Sequence, residues 1–406
     1  MTARAEAIAG TRSTDCNSRP RKPSGKVRVM APRTTTRTSI SGYGVWHPPT
    51  VLDNEELCAA FNEFVRRDNA SNAEAIAAGT REPLRESTPE WVVKASGIKL
   101  RYVEDKTGLL DPERMCPNIP DRPEDQLSIQ AEYALHAGRR ALEVAGRAGE
   151  DVDLVVLGCS NLQRMYPALA IEVQEALGAH GYGFDILLGC SAATGATQLA
   201  SQAVQLGQAR CALVVIPELT TGHMNWRERD SHFIFGDASV ALVVEPTDRA
   251  RPGSWEILST RMMSKWSNNI RNNRGYLDRC DPSTEQAIDK LFHQNGRRVF
   301  KDVVPLASKF IADHLAAHDL EPSQVARYWL HQANQSMNEL IAKRILGRDA
   351  TREEAPIILD EYGNTASAGS LIAFSHHNAD LPAGSHGVMA SFGAGYSLGS
   401  LLLQRR

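Results

Sequence analysis

From Ala131 to Ile216 the chain alternates helix-like and strand-like patterns without a break: "AEYALHAGRRALEVAG", "LVVLGCS", "PALAIEVQEALG", "FDILLGC", "ATQLASQAVQLG", "ALVVI". Apolar residues recur at helical spacing in the longer words, while the shorter words are continuously apolar, as buried strands are. Such alternation predicts a largely parallel sheet covered by helices. It then returns: "VFKDVVPLASKFIADHLAAH", "RYWLHQAN", "NELIAKRILG", "PIILDEYGNTASAGSLIAF", "GVMASFGAG", "SLGSLLLQ". Strand ends carry Cys159 and Cys190 in the first run, 31 residues apart, and His331 and Asn364 in the second, 33 apart. The near-equal period predicts a duplicated architecture. Its halves are residues 38–250 and 251–406, with a polar insertion at about 264–298 in the second.

Outside the alternation the patterns are weaker. Residues 1–37 are rich in Arg, Lys, Ser, Thr and Pro and lack apolar periodicity, so they read as a disordered basic tail, with Met30 an alternative start. "TSISGYGVWHPP" reads as a strand and turn, and "LDNEELCAAFNEFV" as a helix capped by Asp53 or Asn54. Residues 66–88 and 104–126 are polar or proline-rich and read as loops or lids.

Composition removes several functions. A net charge of −3 lacks the basic excess of a general nucleic-acid binder, and no apolar run approaches the ~18 residues of a membrane span. Seven scattered cysteines without a CxxC pair read as a reduced, cytoplasmic protein with no metal site. "GAGYSLG" resembles a dinucleotide-binding loop, but too little chain follows Gly399 to complete a βαβ unit.

Ligands of α/β sheets bind beyond the carboxyl ends of strands, where Cys190, His331 and Asn364 are expected. In "FDILLGCSAATGATQL", Phe184, Ile186, Leu187 and Leu188 read as a buried strand that turns into a helix of small residues at Cys190. A cysteine there is either a small core residue or a thiol facing backbone N–H groups that favour its thiolate.

The chain from about Thr38 to Arg406 resembles the β-ketoacyl-acyl carrier protein synthase III enzymes of the thiolase superfamily. The resemblance lies in "PEWVVKASGI", "HFIFGDASVALVVE", "HQANQSMNELIAKRILG", "YGNTASAGS" and "SFGAGYSLGSLLL". It implies a five-layer αβαβα sandwich built of two pseudo-repeated halves, forming a homodimer. Cys190, His331 and Asn364 fall on the family's catalytic Cys, His and Asn. Cys190 and Ala394 fall on its oxyanion-hole N–H donors, with Ala394 replacing a glycine. The implied reaction is a decarboxylative condensation of an acyl thioester with malonyl-acyl carrier protein through an acyl-cysteine, without metal, flavin or nicotinamide. A specialised condensing enzyme or acyltransferase of the same superfamily is the alternative, and a non-catalytic subunit is a more distant one.

The resemblance also assigns surrounding residues. Trp91, Arg229 and Asn334 fall at positions that hold coenzyme A, although the second arginine of the adenine clamp is Ala95 here, where Arg297 or Arg298 offers a substitute. Tyr166 takes the place of an aromatic that closes the partner's acyl pocket. Lys301, Lys343 and Arg344 match docking positions for the acidic acyl carrier protein, while an expected arginine is Ser336.

Overall fold

Residues 36–273, 275–284 and 287–406 are described by the structure, a computed structural model. The expected basic tail therefore lies, up to residue 35, outside the described residues. Among those described, nine strands form one sheet: β1 (Thr38–Trp46), β2 (Leu154–Cys159), β3 (Tyr182–Leu187), β4 (Ala212–Glu218), β5 (Ala238–Pro246), β6 (Trp255–Ser267), β7 (Val325–Leu330), β8 (His386–Gly393) and β9 (Gly395–Arg405). Their spatial order is β7-β8-β9-β6-β1-β5-β4-β2-β3.

That order contains a repeat. In the first half β1, β5, β4 and β2 lie side by side; in the second β6, β9, β8 and β7 do. Both sets pair antiparallel, antiparallel, then parallel. The halves meet where β1 runs beside β6, at Ser39 opposite Glu256 and Ile40 opposite Trp255. The expected largely parallel sheet is corrected: only β2–β3, β2–β4 and β7–β8 are parallel. Strands β8 and β9 are joined by Ala394 alone, and parallel pairing needs a crossover of a dozen residues or more.

Six helices among the described residues pack on the sheet: α1 (Ile129–Ala145), α2 (Leu169–Leu177), α3 (Ala192–Gln205), α4 (Gly296–Ala316), α5 (Gln335–Leu346) and α6 (Gly369–His376). Helices α1 and α2 pack Ala134, Ala141 and Val173 on one outer face, against Val155 and Leu213. On the other, Val303, Ile311 and Ile341 of α4 and α5 meet Tyr328, Val388 and Leu402. Between the two half-sheets lie α3 and α6, whose Ala196, Ala200, Leu371 and Phe374 share one core with Val156, Val214, Trp329 and Met389. The layers are thus αβαβα. Helix α3 is built of small residues because both half-sheets close on it, leaving no width for large side chains.

Three local readings change. Strand β3 is the sheet's edge rather than a buried strand, and Leu187 is 52% exposed. The helix Asn54–Ser71, capped by Asp53 accepting from the Glu56 N–H at 2.8 Å, continues through residues read as loop, and Ala73–Ala77 is helical too. Ion pairs from Glu63 to Arg66 and Arg67 support that polar extension. Asn364 stands at no strand end; one parallel bridge ties its segment to Phe235.

Candidate active site

Cys190 sits in a tight turn, Gly189–Ser191, between the edge strand β3 and helix α3. Gly189 has φ +52°, a left-handed conformation that glycine adopts without the cost of a Cβ. Across the turn, Gly393 leaves no space: a Cβ there would stand 2.7 Å from the Cys190 Sγ. The backbone N–H groups of Ala394 and of Cys190 itself favour the thiol's ionised form. Burial and the nearby Glu218 carboxylate outweigh them and push the thiol up to about 12. Both readings of a cysteine at this turn meet here: backbone N–H groups face the thiol, while burial keeps its neutral form the resting one.

His331 follows β7, with its N–H donating to the Ala390 carbonyl at 2.8 Å. Its ring lies edge-on to Phe392 at 5.3 Å. Burial drives the imidazole down to about 4, against a hydrogen bond with the Ala366 backbone that raises it. At neutral pH the ring is uncharged. Asn364 is held by backbone on both sides: its N–H donates to Ile234 at 2.8 Å, and its carbonyl accepts from Gly236 at 3.2 Å. Its Oδ1 accepts from the Ala366 N–H at 2.9 Å, so the amide NH2 is the end left to donate. Ala366 serves both neighbours from a left-handed turn, φ 45°.

Cys190, His331 and Asn364 line a single cavity of about 700 Å³. Trp91, Ala95, Asn334 and Arg297 line the same cavity. The Arg229 guanidinium lies 3.8 Å from the Trp91 ring centroid, while its Nε donates to the Glu86 carbonyl at 2.9 Å. Asn334 is occupied structurally: its Oδ1 accepts from Met337 N–H to cap α5, and its Nδ2 donates to the Ala95 carbonyl at 2.7 Å. Arg298 turns instead to Asp302 at 3.6 Å.

The remaining assignments lie apart. Tyr166 is 85% exposed and takes no part in this cavity. Lys301, Lys343 and Arg344 are exposed on α4 and α5, with Lys343 paired to Asp349 at 2.9 Å. Sequence patterns did not single out the cavity's outer wall. That wall comes from the insertion, where Ile270–Arg271 pairs with His293–Gln294 and Phe292 meets Phe235 edge-on at 4.8 Å. The phenylalanine in the polar word "KLFHQNGRR" was the available signal. Among the described residues no group of His, Cys, Asp or Glu is placed to hold a metal, and no helix is long and apolar enough to cross a membrane.

Two matched half-sheets closing on shared central helices make this a thiolase-like fold. The sequence profile of 3-oxoacyl-[acyl-carrier-protein (ACP)] synthase III matches residues 184–265, and that of its C-terminal part residues 315–405. A β-ketodecanoyl-[acyl-carrier-protein] synthase of Pseudomonas aeruginosa is 54% identical over 347 residues, covering 85% of this chain and 99% of that one. A β-ketoacyl-[acyl-carrier-protein] synthase III of Rhodospirillum centenum is 29% identical, covering 91% and 99%. The solved 3-oxoacyl-[acyl-carrier-protein] synthase III of Aquifex aeolicus superposes with a TM-score of 0.70 at 25% identity, covering 90% and 99%. The chain belongs to the β-ketoacyl-acyl carrier protein synthase III family. It is an acyltransferase that condenses an acyl thioester with malonyl-acyl carrier protein in the initiation of fatty acid synthesis.

Proposed function

We propose that Cys190 is the acyl-carrying nucleophile, that His331 and Asn364 drive decarboxylation, and that the preferred acyl group has eight carbons. The observation carrying the site assignment is that all three residues face one cavity, with the Cys190 and Ala394 N–H groups converging on the thiol. The chain length rests on the Pseudomonas relative, whose name specifies a ten-carbon product. Decarboxylative condensation adds two carbons, which leaves eight for the donor.

A thiol near 12 and an imidazole near 4 remain a neutral pair. The proton must therefore leave Sγ as the new C–S bond forms, passing to the departing carrier thiolate. The two N–H groups that meet the thiol are placed to meet the oxyanion as well. In the second half-reaction the malonyl C–C bond breaks, carbon dioxide leaves, and the electron pair becomes an enolate. The Asn364 amide donates to its oxygen, and His331, whose neutral ring carries one N–H, donates as that N–H turns from the Ala366 backbone to the enolate. The nucleophilic carbon then attacks the acyl-cysteine; a C–C bond forms, the C–S bond breaks, and Sγ recovers a proton.

Trp91 and Arg229 hold the donor's carrier group, and Lys301, Lys343 and Arg344 dock the acidic carrier protein. Residues 38–250 and 251–406 are the two evolutionary halves. Tyr182 and Leu187 on the unpaired edge strand β3, and Ile171 on the helix α2 packed beside it, are exposed apolar side chains, which supports a homodimer formed there.

Competition among acyl thioesters of different lengths, read by intact mass, tests the proposal. An octanoyl adduct should dominate on the wild type and be absent from Cys190→Ala. Dominance of a two-carbon adduct overturns the chain length. Acylation of the Ala variant overturns the nucleophile.

A further inference from the structure

Glu218 ends β4 fully buried, and its hydrogen-bond partners are serines rather than a cation. Buried Glu245, by contrast, pairs with Arg147 at 2.7 Å. Ser160, which follows β2, donates its N–H to both Glu218 oxygens at 3.0 and 3.1 Å, and its Oγ–H to Oε2 at 2.6 Å. Ser367 donates its N–H to Oε1 at 3.0 Å, and its hydroxyl to the same oxygen. One carboxylate thus joins a strand end of the first half to the turn of the second half that carries Asn364.

That turn needs an anchor. Ala366 is left-handed, a conformation costly for a residue with a Cβ. Its N–H nevertheless fixes the Asn364 amide, and its backbone meets His331. The residue immediately after it is Ser367, gripped through two donors by the Glu218 carboxyl, which burial raises above the usual carboxylate range against the hydrogen bonds from Ser160 and Ser367. Hydrogen bonds to an ionised acceptor are roughly twice as strong as neutral ones.

We propose that Glu218 is a positioning residue for the decarboxylating half of the reaction, holding Ser367 so that the strained turn presents Asn364 and His331 together. This rests on the reading that Asn364 and His331 serve decarboxylation. The groups that titrate near Glu218 are the Cys190 and Cys159 thiols, which its charge raises; His331 faces Cys190 across the cavity. A glutamine cannot replace it, because its amide nitrogen would oppose one of the two serine donor sets.

The experiment compares Glu218→Gln, Glu218→Asp and Ser367→Ala with the wild type and with Asn364→Ala as a reference. Carbon dioxide release from malonyl-acyl carrier protein, self-acylation of Cys190, and the pH dependence of Cys190 alkylation are measured. Glu218→Gln and Ser367→Ala should each lose roughly tenfold or more in carbon dioxide release, while self-acylation changes far less. Alkylation of Glu218→Gln should move to lower pH, as it loses the fixed charge. Glu218→Asp should recover part of the release and keep the wild-type alkylation profile, and Ser367→Ala should keep that profile too. Wild-type release in a folded Glu218→Gln overturns the proposal; if that variant does not fold, wild-type release in Ser367→Ala does. Wild-type release in Asn364→Ala would instead overturn the underlying assignment of Asn364.

Discussion

Gly393 and Cys190 touch so closely that a Cβ on Gly393 would lie 2.5 Å from the Cys190 Cβ and 2.7 Å from its Sγ. The glycine ends β8, and Ala394, whose N–H meets the thiol, follows it. Gly393→Ala should push Cys190 out of line with both N–H donors. Overpacking of this kind costs about 1–3 kcal/mol. Self-acylation should fall at least about tenfold, with a smaller effect on the melting temperature. Wild-type acylation in this variant would show that the N–H geometry does not control the thiol.

Alkylation should report the protonation state of Cys190. Cys116 and Cys280 are exposed, Cys190 is half-buried, and Cys58, Cys159 and Cys211 are buried. With Cys16, Cys116 and Cys280 replaced by serine, iodoacetamide should modify Cys190 first. Because the thiol titrates near 12, the rate should climb about tenfold per pH unit across the neutral and mildly alkaline range, without a plateau. A plateau near neutral pH would reveal a thiolate instead.

His331 should keep its neutral form well into acid. Carbon dioxide release should therefore show no inflection near the ordinary histidine value of 6.5, and any acid limb should fall near 4. Stability is linked with the same sign. The folded value lies below the unfolded one, so the unfolded chain binds more protons between about 4 and 6.5. The neutral ring's contribution is complete above 6.5 and is lost as pH falls towards 4. His331→Gln should flatten the acid decline of the melting temperature over that window, and an unchanged slope would count against the burial argument.

Ala95 lines the same cavity as Trp91, on whose ring Arg229 stacks, and brings no guanidinium of its own. Ala95→Arg should lower the KM for acyl-coenzyme A about fivefold, the equivalent of a contact worth about 1 kcal/mol. The KM for a donor carried on protein should hardly move. Equal KM values for acyl-coenzyme A in wild type and a folded variant would remove this position from coenzyme A binding.

Tyr166 is too exposed in one chain to have an internal role. If it reaches a partner's acyl pocket, removing its ring opens space, and each further buried methylene is worth about 0.8 kcal/mol. Tyr166→Ala should shift the self-acylation profile towards longer donors while malonyl decarboxylation stays nearly intact. An unchanged profile in a dimeric variant would exclude it from the pocket.

Sequence by itself determined the duplicated alternation of strands and helices, a helix cap at Asp53 or Asn54, and the choice of Cys190, His331 and Asn364 as residues to watch. These features are legible because periodicity, capping and the words around each residue are local, although Asn364 proved to stand at no strand end. Tertiary structure decided the rest. Strand sense was hidden because β8 and β9 look the same in composition whether they pair parallel or antiparallel. The exposure of β3 was hidden because an apolar run does not record whether a neighbour lies on its far side. Phe292 joined the cavity wall only when its insertion folded back onto Phe235. Glu218 lies 28 residues from Cys190 in the chain, and only packing buries its charge beside that thiol. The neutral states of Cys190 and His331 follow from the same cause: burial removes the water that would stabilise either ion, and no local sequence word records that loss.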